Sequence, residues 1–192
     1  MRPVIAFLLI ASLAAGGCER QEPQGRETGG PATAPAAPRA GLDRSRAGTP
    51  APDTPFLDPD GEQTSLQAFR GRPLLVNLWA TWCAPCVTEM PSLDALAARS
   101  GDRLQVLAVS QDHEGRAKVD EFFAARRLPN LDPFLDAELG LMTSLAAATL
   151  PTTILYDAQG REVWRITGAE DWTSERAARL IAEAGASRGA AR

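Results

Sequence analysis

The stretch Trp82-Cys83-Ala84-Pro85-Cys86 constrains this chain more than any other, because it sets two cysteines where an apolar run gives way to a helical pattern. Pro73-Leu74-Leu75-Val76-Asn77-Leu78-Trp79 is nearly continuous in apolar residues, the pattern of a central strand covered on both faces. Pro85 suits a first helical turn, which needs no backbone donor. Met90, Leu93, Leu96 and Ala97 then recur at helical spacing as far as Arg99. Cys83 therefore falls at a helix N-terminus, where free N–H groups and the macrodipole favour thiolate over thiol. Its position makes Cys83 the exposed nucleophile, and Cys86, one turn deeper, the shielded partner that resolves a mixed disulfide.

A Cys-x-x-Cys pair can also be half of a zinc site or a structural disulfide. A closed zinc site needs four ligands, and beyond the pair the chain offers only Cys18 and His113 among cysteines and histidines. A structural disulfide at this spacing closes too short a loop to constrain the unfolded chain much. Thiol–disulfide exchange is the chemistry the pattern fits, with no metal and no cofactor expected.

The two ends differ from the middle of the 192-residue chain. Within residues 1–18, Arg2 is the only charge, Val4 to Ala15 form an apolar stretch, and Ala15-Gly16-Gly17 precede Cys18. That run is too short to span a bilayer and has the layout of a secretory signal. Residues 19–55 hold Pro23, Pro31, Pro35, Pro38, Pro50, Pro52 and Pro55 among small and polar residues, with too little apolar surface to fold. They read as a disordered, semi-rigid tether. Residues 56–188 remain as one domain, large enough for a core. Lys and Arg total 20 against 24 Asp and Glu; residues 1–18 carry only Arg2, so without them 19 stand against 24, a net charge near −5. That balance argues against a nucleic-acid partner.

Along the domain, Phe56 to Leu66 reads as a hairpin around Asp60-Gly61. A second buried strand follows at Leu104 to Ser110, then a helix from Gly115 to Arg127 ending before Pro129. Phe134-Leu135 forms a brief strand, and Asp136 caps a helix running to Ala147. Thr152 to Asp157 and Glu162 to Ile166 form an antiparallel hairpin, and a last helix covers Ser174 to Ala184. This order predicts an α/β fold, a central mixed sheet flanked by helices on both faces, with an N-terminal β-hairpin extension.

Four segments, in order, carry a family resemblance: Val76 to Cys86, Glu89-Met90-Pro91, Leu150-Pro151-Thr152-Thr153 and Gly168-Ala169-Glu170-Asp171-Trp172. The chain resembles the thioredoxin superfamily, and within it the TlpA/ResA-like membrane-tethered thiol–disulfide oxidoreductases of bacteria. The resemblance implies a thioredoxin-like fold and a cis bond before Pro151, which faces the cysteine pair. Leu150 would offer its backbone to an extended substrate as an added strand, with Trp82, Ala84 and Pro85 framing the substrate-facing surface. It also implies that Glu89 exchanges protons with the thiols. Asn77 stands where thioredoxins proper carry a buried Asp, which removes the usual proton acceptor beneath Cys86 and directs attention to Glu89. His113 receives no role: copper chaperones of the superfamily use a Cys-x-x-x-Cys spacing this chain lacks, and the peroxiredoxin cysteine pattern is absent too.

Cys18 resembles a bacterial lipobox cysteine, although Ala15 stands where that motif prefers leucine. The resemblance implies a lipid anchor at Cys18, so the protein is expected at the periplasmic face of a bacterial membrane, or soluble in the periplasm after plain signal cleavage. Implied partners are a DsbD/CcdA-type membrane reductant and client proteins with disulfides, either apocytochrome c or proteins delivering copper to cytochrome oxidase. The alternatives are a DsbA-like oxidase and a non-catalytic copper-binding protein of the same fold.

Overall fold

Every residue of β4 (Leu74–Trp79) is buried, and that strand lies inside the sheet between a parallel and an antiparallel neighbour. The computed structural model describes residues 41–186. The expectations for the signal, for Cys18 and for the tether up to residue 40 lie outside the described residues.

In chain order the elements are β1 (Gly41–Asp43), β2 (Phe56–Leu57), β3 (Gln63–Thr64), β4, α1 (Ala84–Ser100), β5 (Gln105–Ser110), α2 (Arg116–Arg126), β6 (Pro133–Leu135), α3 (Gly140–Ser144), β7 (Thr152–Tyr156), β8 (Glu162–Thr167) and α4 (Glu175–Ala186). They build one mixed sheet in the order β1-β8-β7-β4-β5-β6-β2-β3. β4, β5 and β6 run parallel, while β7, β8 and the entry hairpin are antiparallel. The predicted mixed α/β sheet is the one observed.

The two-residue period of a strand divides the core. Leu75 and Trp79 of β4 point into the cluster shared with α1, α2 and α4, through Met90, Leu93, Val119, Phe123, Ala177 and Leu180. Leu74, Val76 and Leu78 point into the opposite cluster with Ile154, Tyr156 and Leu141 of α3. The hairpin at Asp60-Gly61 forms as predicted. Asp58 Oδ1 accepts from the N–H groups of Asp60 and Glu62, and Gly61 takes φ +82, a conformation that suits glycine.

Two expectations need correction. Residues 41–55 are not tether. β1 pairs with β8, Gly41 opposite Thr167 and Asp43 opposite Arg165. Gly48 N–H donates to Glu162 O, Glu162 N–H to Thr49 O, and Ala51 N–H to Gly160 O. This strap is held by main-chain bonds, which need no apolar alternation in its own sequence. The helix expected from Asp136 to Ala147 is also shorter. Leu139 and Ala146 take positive φ and bound α3, while Asp136 reaches past the start to accept from the Met142 N–H at 3.0 Å.

Candidate active site

β4 ends at Trp79, and α1 begins at Ala84 with Cys83 as its N-cap. The Cys86 N–H donates to Cys83 Sγ at 3.4 Å, and the first main-chain helical bond runs from Val87 N–H to Cys83 O. The sulfur of Cys83 therefore sits against the donors of the helix start, a setting that stabilises negative charge on it. Cys83 and Cys86 are joined as a disulfide with Cα atoms 5.3 Å apart. Cys86 is fully buried, as predicted. Cys83 is less open than predicted, at 6% exposed: its Sγ is bonded to the sulfur of buried Cys86 and accepts from the Cys86 N–H. Around it Trp82, Ala84 and Pro85 are exposed, and Trp82 stands out at 67%.

The loop before Cys83 is anchored by a residue that no motif singled out. Asp112 accepts from the Thr81 N–H at 2.9 Å, from Thr81 Oγ1 at 2.6 Å and from Ser110 Oγ at 2.6 Å, and it is buried. A buried carboxylate with three donors is a rigid brace. It ties the end of β5 to the approach to the nucleophile.

Beyond Cys83 lies an open, mainly apolar groove of about 620 Å³ whose walls include Trp82, Pro85, His113, Met142 and Leu150. Leu150 and Pro151 are joined by a cis peptide bond. Leu150 reaches the groove, whereas Pro151 is buried behind it at the entry to β7. His113, given no role by its sequence context, rims the same groove and is held by a contact of 2.7 Å between Nδ1 and Ala137 O.

Glu89 lies three residues beyond Cys86 on α1, a spacing that puts both on one helix face. It is 3% exposed. Asn77 Nδ2 donates to Glu89 Oε1 at 2.7 Å and to Thr153 Oγ1 at 2.9 Å. Glu89 Oε2 accepts from the Glu170 N–H at 2.9 Å and from Trp172 Nε1 at 3.3 Å. Burial raises the Glu89 pKa to about 7, against the opposing pull of the hydrogen bonds from Asn77 and Trp172. The residues quoted from four separate motifs thus meet in one network, with Gly168–Trp172 closing over the carboxylate.

A dithiol at a helix start, a cis-proline edge and an apolar groove on a mixed sheet define a thioredoxin-fold redox protein. The Redoxin family model matches residues 46–181. ResA of Geobacillus thermodenitrificans, a thiol-disulfide oxidoreductase, is 32% identical over 123 residues, covering 63% of this chain and 69% of that protein. The thioredoxin-like protein YneN of Bacillus subtilis is 33% identical over 113 residues, covering 59% and 66%. The chain thus spans about two thirds of the length of these curated relatives. Among solved structures, StoA of Bacillus subtilis superposes with a TM-score of 0.57 at 24% identity, covering 68% of this chain and 98% of that one, and so shares the fold. The chain belongs to the Redoxin family, as a ResA-like protein-disulfide oxidoreductase of the thioredoxin superfamily.

Proposed function

We propose that this protein is an extracytoplasmic reductase of disulfides in particular exported client proteins. The observation that carries the reading is Cys83, capping α1 and opening onto an apolar groove while Cys86 is sealed beneath it.

In the reduced enzyme the Cys83 thiolate attacks one sulfur of the client disulfide. A Cys83–client disulfide forms, the client S–S bond breaks, and the released client thiolate takes up a proton. Cys86 then loses its proton, and its thiolate attacks Cys83 Sγ. The mixed disulfide breaks, the second client thiolate leaves and is protonated, and two electrons have passed to the client. Glu89, in its buried network, is the group that takes the Cys86 proton and returns it. The bonded pair is the oxidised form that ends this cycle, and a membrane dithiol carrier of the DsbD/CcdA kind reduces it again.

The signal-like run Val4 to Ala15 and the lipobox-like Cys18 support export and anchoring at the periplasmic face of a membrane. Apocytochrome c and copper-delivery proteins are the client classes that fit such a reductase, because both carry cysteines that must be reduced before metal or haem attachment. The test is insulin reduction together with the reduction potential. A value near ~ −270 mV with activity lost in Cys83→Ser is the expected result, whereas one near ~ −120 mV overturns the direction of electron flow. In cells, Cys86→Ala is expected to accumulate client proteins joined to Cys83.

A further inference from the structure

The groove beside Cys83 has two walls. One is built from the start of α1 and the residues just past β5, and the other from a single segment that contributes Leu139, Met142, Ala148 and Leu150. Leu141 and Leu145 press this segment against the sheet through apolar packing, which is non-directional and sets no register. Hydrogen bonds tie its two ends, from the Met142 N–H to Asp136 Oδ2 and from Thr152 Oγ1 to the Thr149 carbonyl. Between those ends, among the described residues, the hydrogen bonds that leave the segment meet at one atom, the carbonyl oxygen of Leu145.

Leu145 is the C-cap of α3. The carbonyls of Leu141, Met142 and Thr143 accept from N–H groups of the same turn, those of Leu145, Ala147 and Ala146. Leu145 O instead accepts from Arg165 Nη1 at 2.8 Å and from Arg46 Nη1 at 3.3 Å, so two guanidiniums close the end of the turn. Arg165 stands on β8 opposite Ile154, which puts its side chain on the sheet face that carries α3. The rest of its fork is bidentate to Glu162, Nε to Oε1 and Nη2 to Oε2, both at 2.7 Å. The two side chains are 8% and 3% exposed. Arg46 reaches the same carbonyl from the strap along β8.

A buried ion pair adds little net stability, because desolvation offsets the attraction. What a bidentate guanidinium supplies is a donor fixed in direction. We infer that Arg165, held by Glu162 and assisted by Arg46, is a positioning residue for the wall opposite Cys83. It fixes where Met142 and Leu150 stand relative to the sulfur, and so which disulfides fit between the walls. Neither arginine lines the groove, so losing one alters the wall and leaves the nucleophile as it is. The strap thereby supports the site from behind. This assignment rests on the thiol–disulfide reaction proposed above and adds what holds the surface against which a client is placed.

The test uses the full chain, reduced beforehand, and two disulfides that release the same coloured thiolate. One is a short cysteine peptide joined to 5-thio-2-nitrobenzoate, which meets both walls, and the other is 5,5′-dithiobis(2-nitrobenzoate), which needs little beyond the sulfur. Glu162→Leu combined with Arg165→Met removes both buried charges at similar volume. The peptide-to-small-disulfide rate ratio of this double variant is expected to fall about tenfold, the scale of one charge-assisted hydrogen bond, with the small-disulfide rate unchanged. Arg46→Met is expected to lower the ratio about threefold, because its bond is longer, and Arg46→Lys to restore it by donating to the same carbonyl. If the double variant does not fold, the two Arg46 variants decide. An unchanged ratio in the variants overturns the assignment and leaves the redox reading intact. Equal falls in both rates overturn it too, because the loss would then lie at the sulfur or in the fold as a whole. Wild type that reacts with neither disulfide overturns the redox reading and the assignment with it.

Discussion

The Asn77 side-chain amide donates to Glu89 Oε1 at 2.7 Å, joining the central strand to the cysteine helix one turn past Cys86. An amide at this position does what a second carboxylate could not, since two carboxylates at that distance would have to share a proton. It leaves Glu89 as the buried acid on this face of α1, with its opposite oxygen tied to Glu170 and Trp172.

The raised Glu89 pKa makes stability depend on pH. Below about 4.5 the carboxyl is protonated in both folded and unfolded chains, so it contributes nothing to the slope. Between about 4.5 and about 7 the folded state holds a proton that the unfolded state has released, so stability falls as pH rises. The full difference, on the order of 3 kcal/mol, is in place above pH 7. Glu89→Gln lacks this dependence. Urea unfolding at pH 4, 5.5 and 8 is expected to show the variant gaining on wild type as pH rises, and a difference constant with pH would refute it.

Trp172→Phe removes the indole donor from Glu89 Oε2. That bond favours the ionised carboxylate, so its loss is expected to move the Glu89 titration above about 7. Carbon-13 carboxyl shifts followed against pH measure this directly, and a downward shift would contradict it.

Asp112→Ala leaves the half-buried Thr81 N–H without its acceptor. The expected cost is about 2–3 kcal/mol in unfolding free energy, together with slower thiolate attack, because the loop that carries Trp82 and Cys83 is no longer held. Chemical denaturation and the rate of reaction with a small disulfide check the two effects separately. Loss of stability with no loss of rate would show that Asp112 braces the fold alone.

A chain that starts at Phe56 loses the strap along β8. The missing main-chain bonds at Gly48, Thr49 and Ala51, and the pairing of β1, contribute about 1 kcal/mol each. The unfolding temperature is expected to drop by roughly 10 °C. A chain that starts at Gly41 is expected to keep the wild-type value, whereas equal values for the two chains would mean that the strap adds no stability.

Much of this protein was legible along the chain because the signals were local. The apolar run at Leu74–Trp79, the two cysteines, Pro85 and the helical spacing after it established a strand, a helix and a capping cysteine from neighbouring residues alone. The strap at Gly41–Ala51 was illegible for the converse reason. Its place depends on the open edge of β8, more than a hundred residues away, and on main-chain bonds that any residue but proline can make. Asp112 and His113 gave no signal either, since neither stands in a spacing that implies chemistry.

The sequence by itself determined the dithiol, its position at a helix start and the mixed α/β order, because strand and helix periodicity and the proline in the first turn act over a few residues. Only the tertiary structure decided that Cys83 is nearly covered and that Glu89 is held by Asn77, Glu170 and Trp172. It alone brought His113 and Leu150 to the groove beside the sulfur. Burial and hydrogen bonds between distant segments are properties of packing, and no local pattern encodes them.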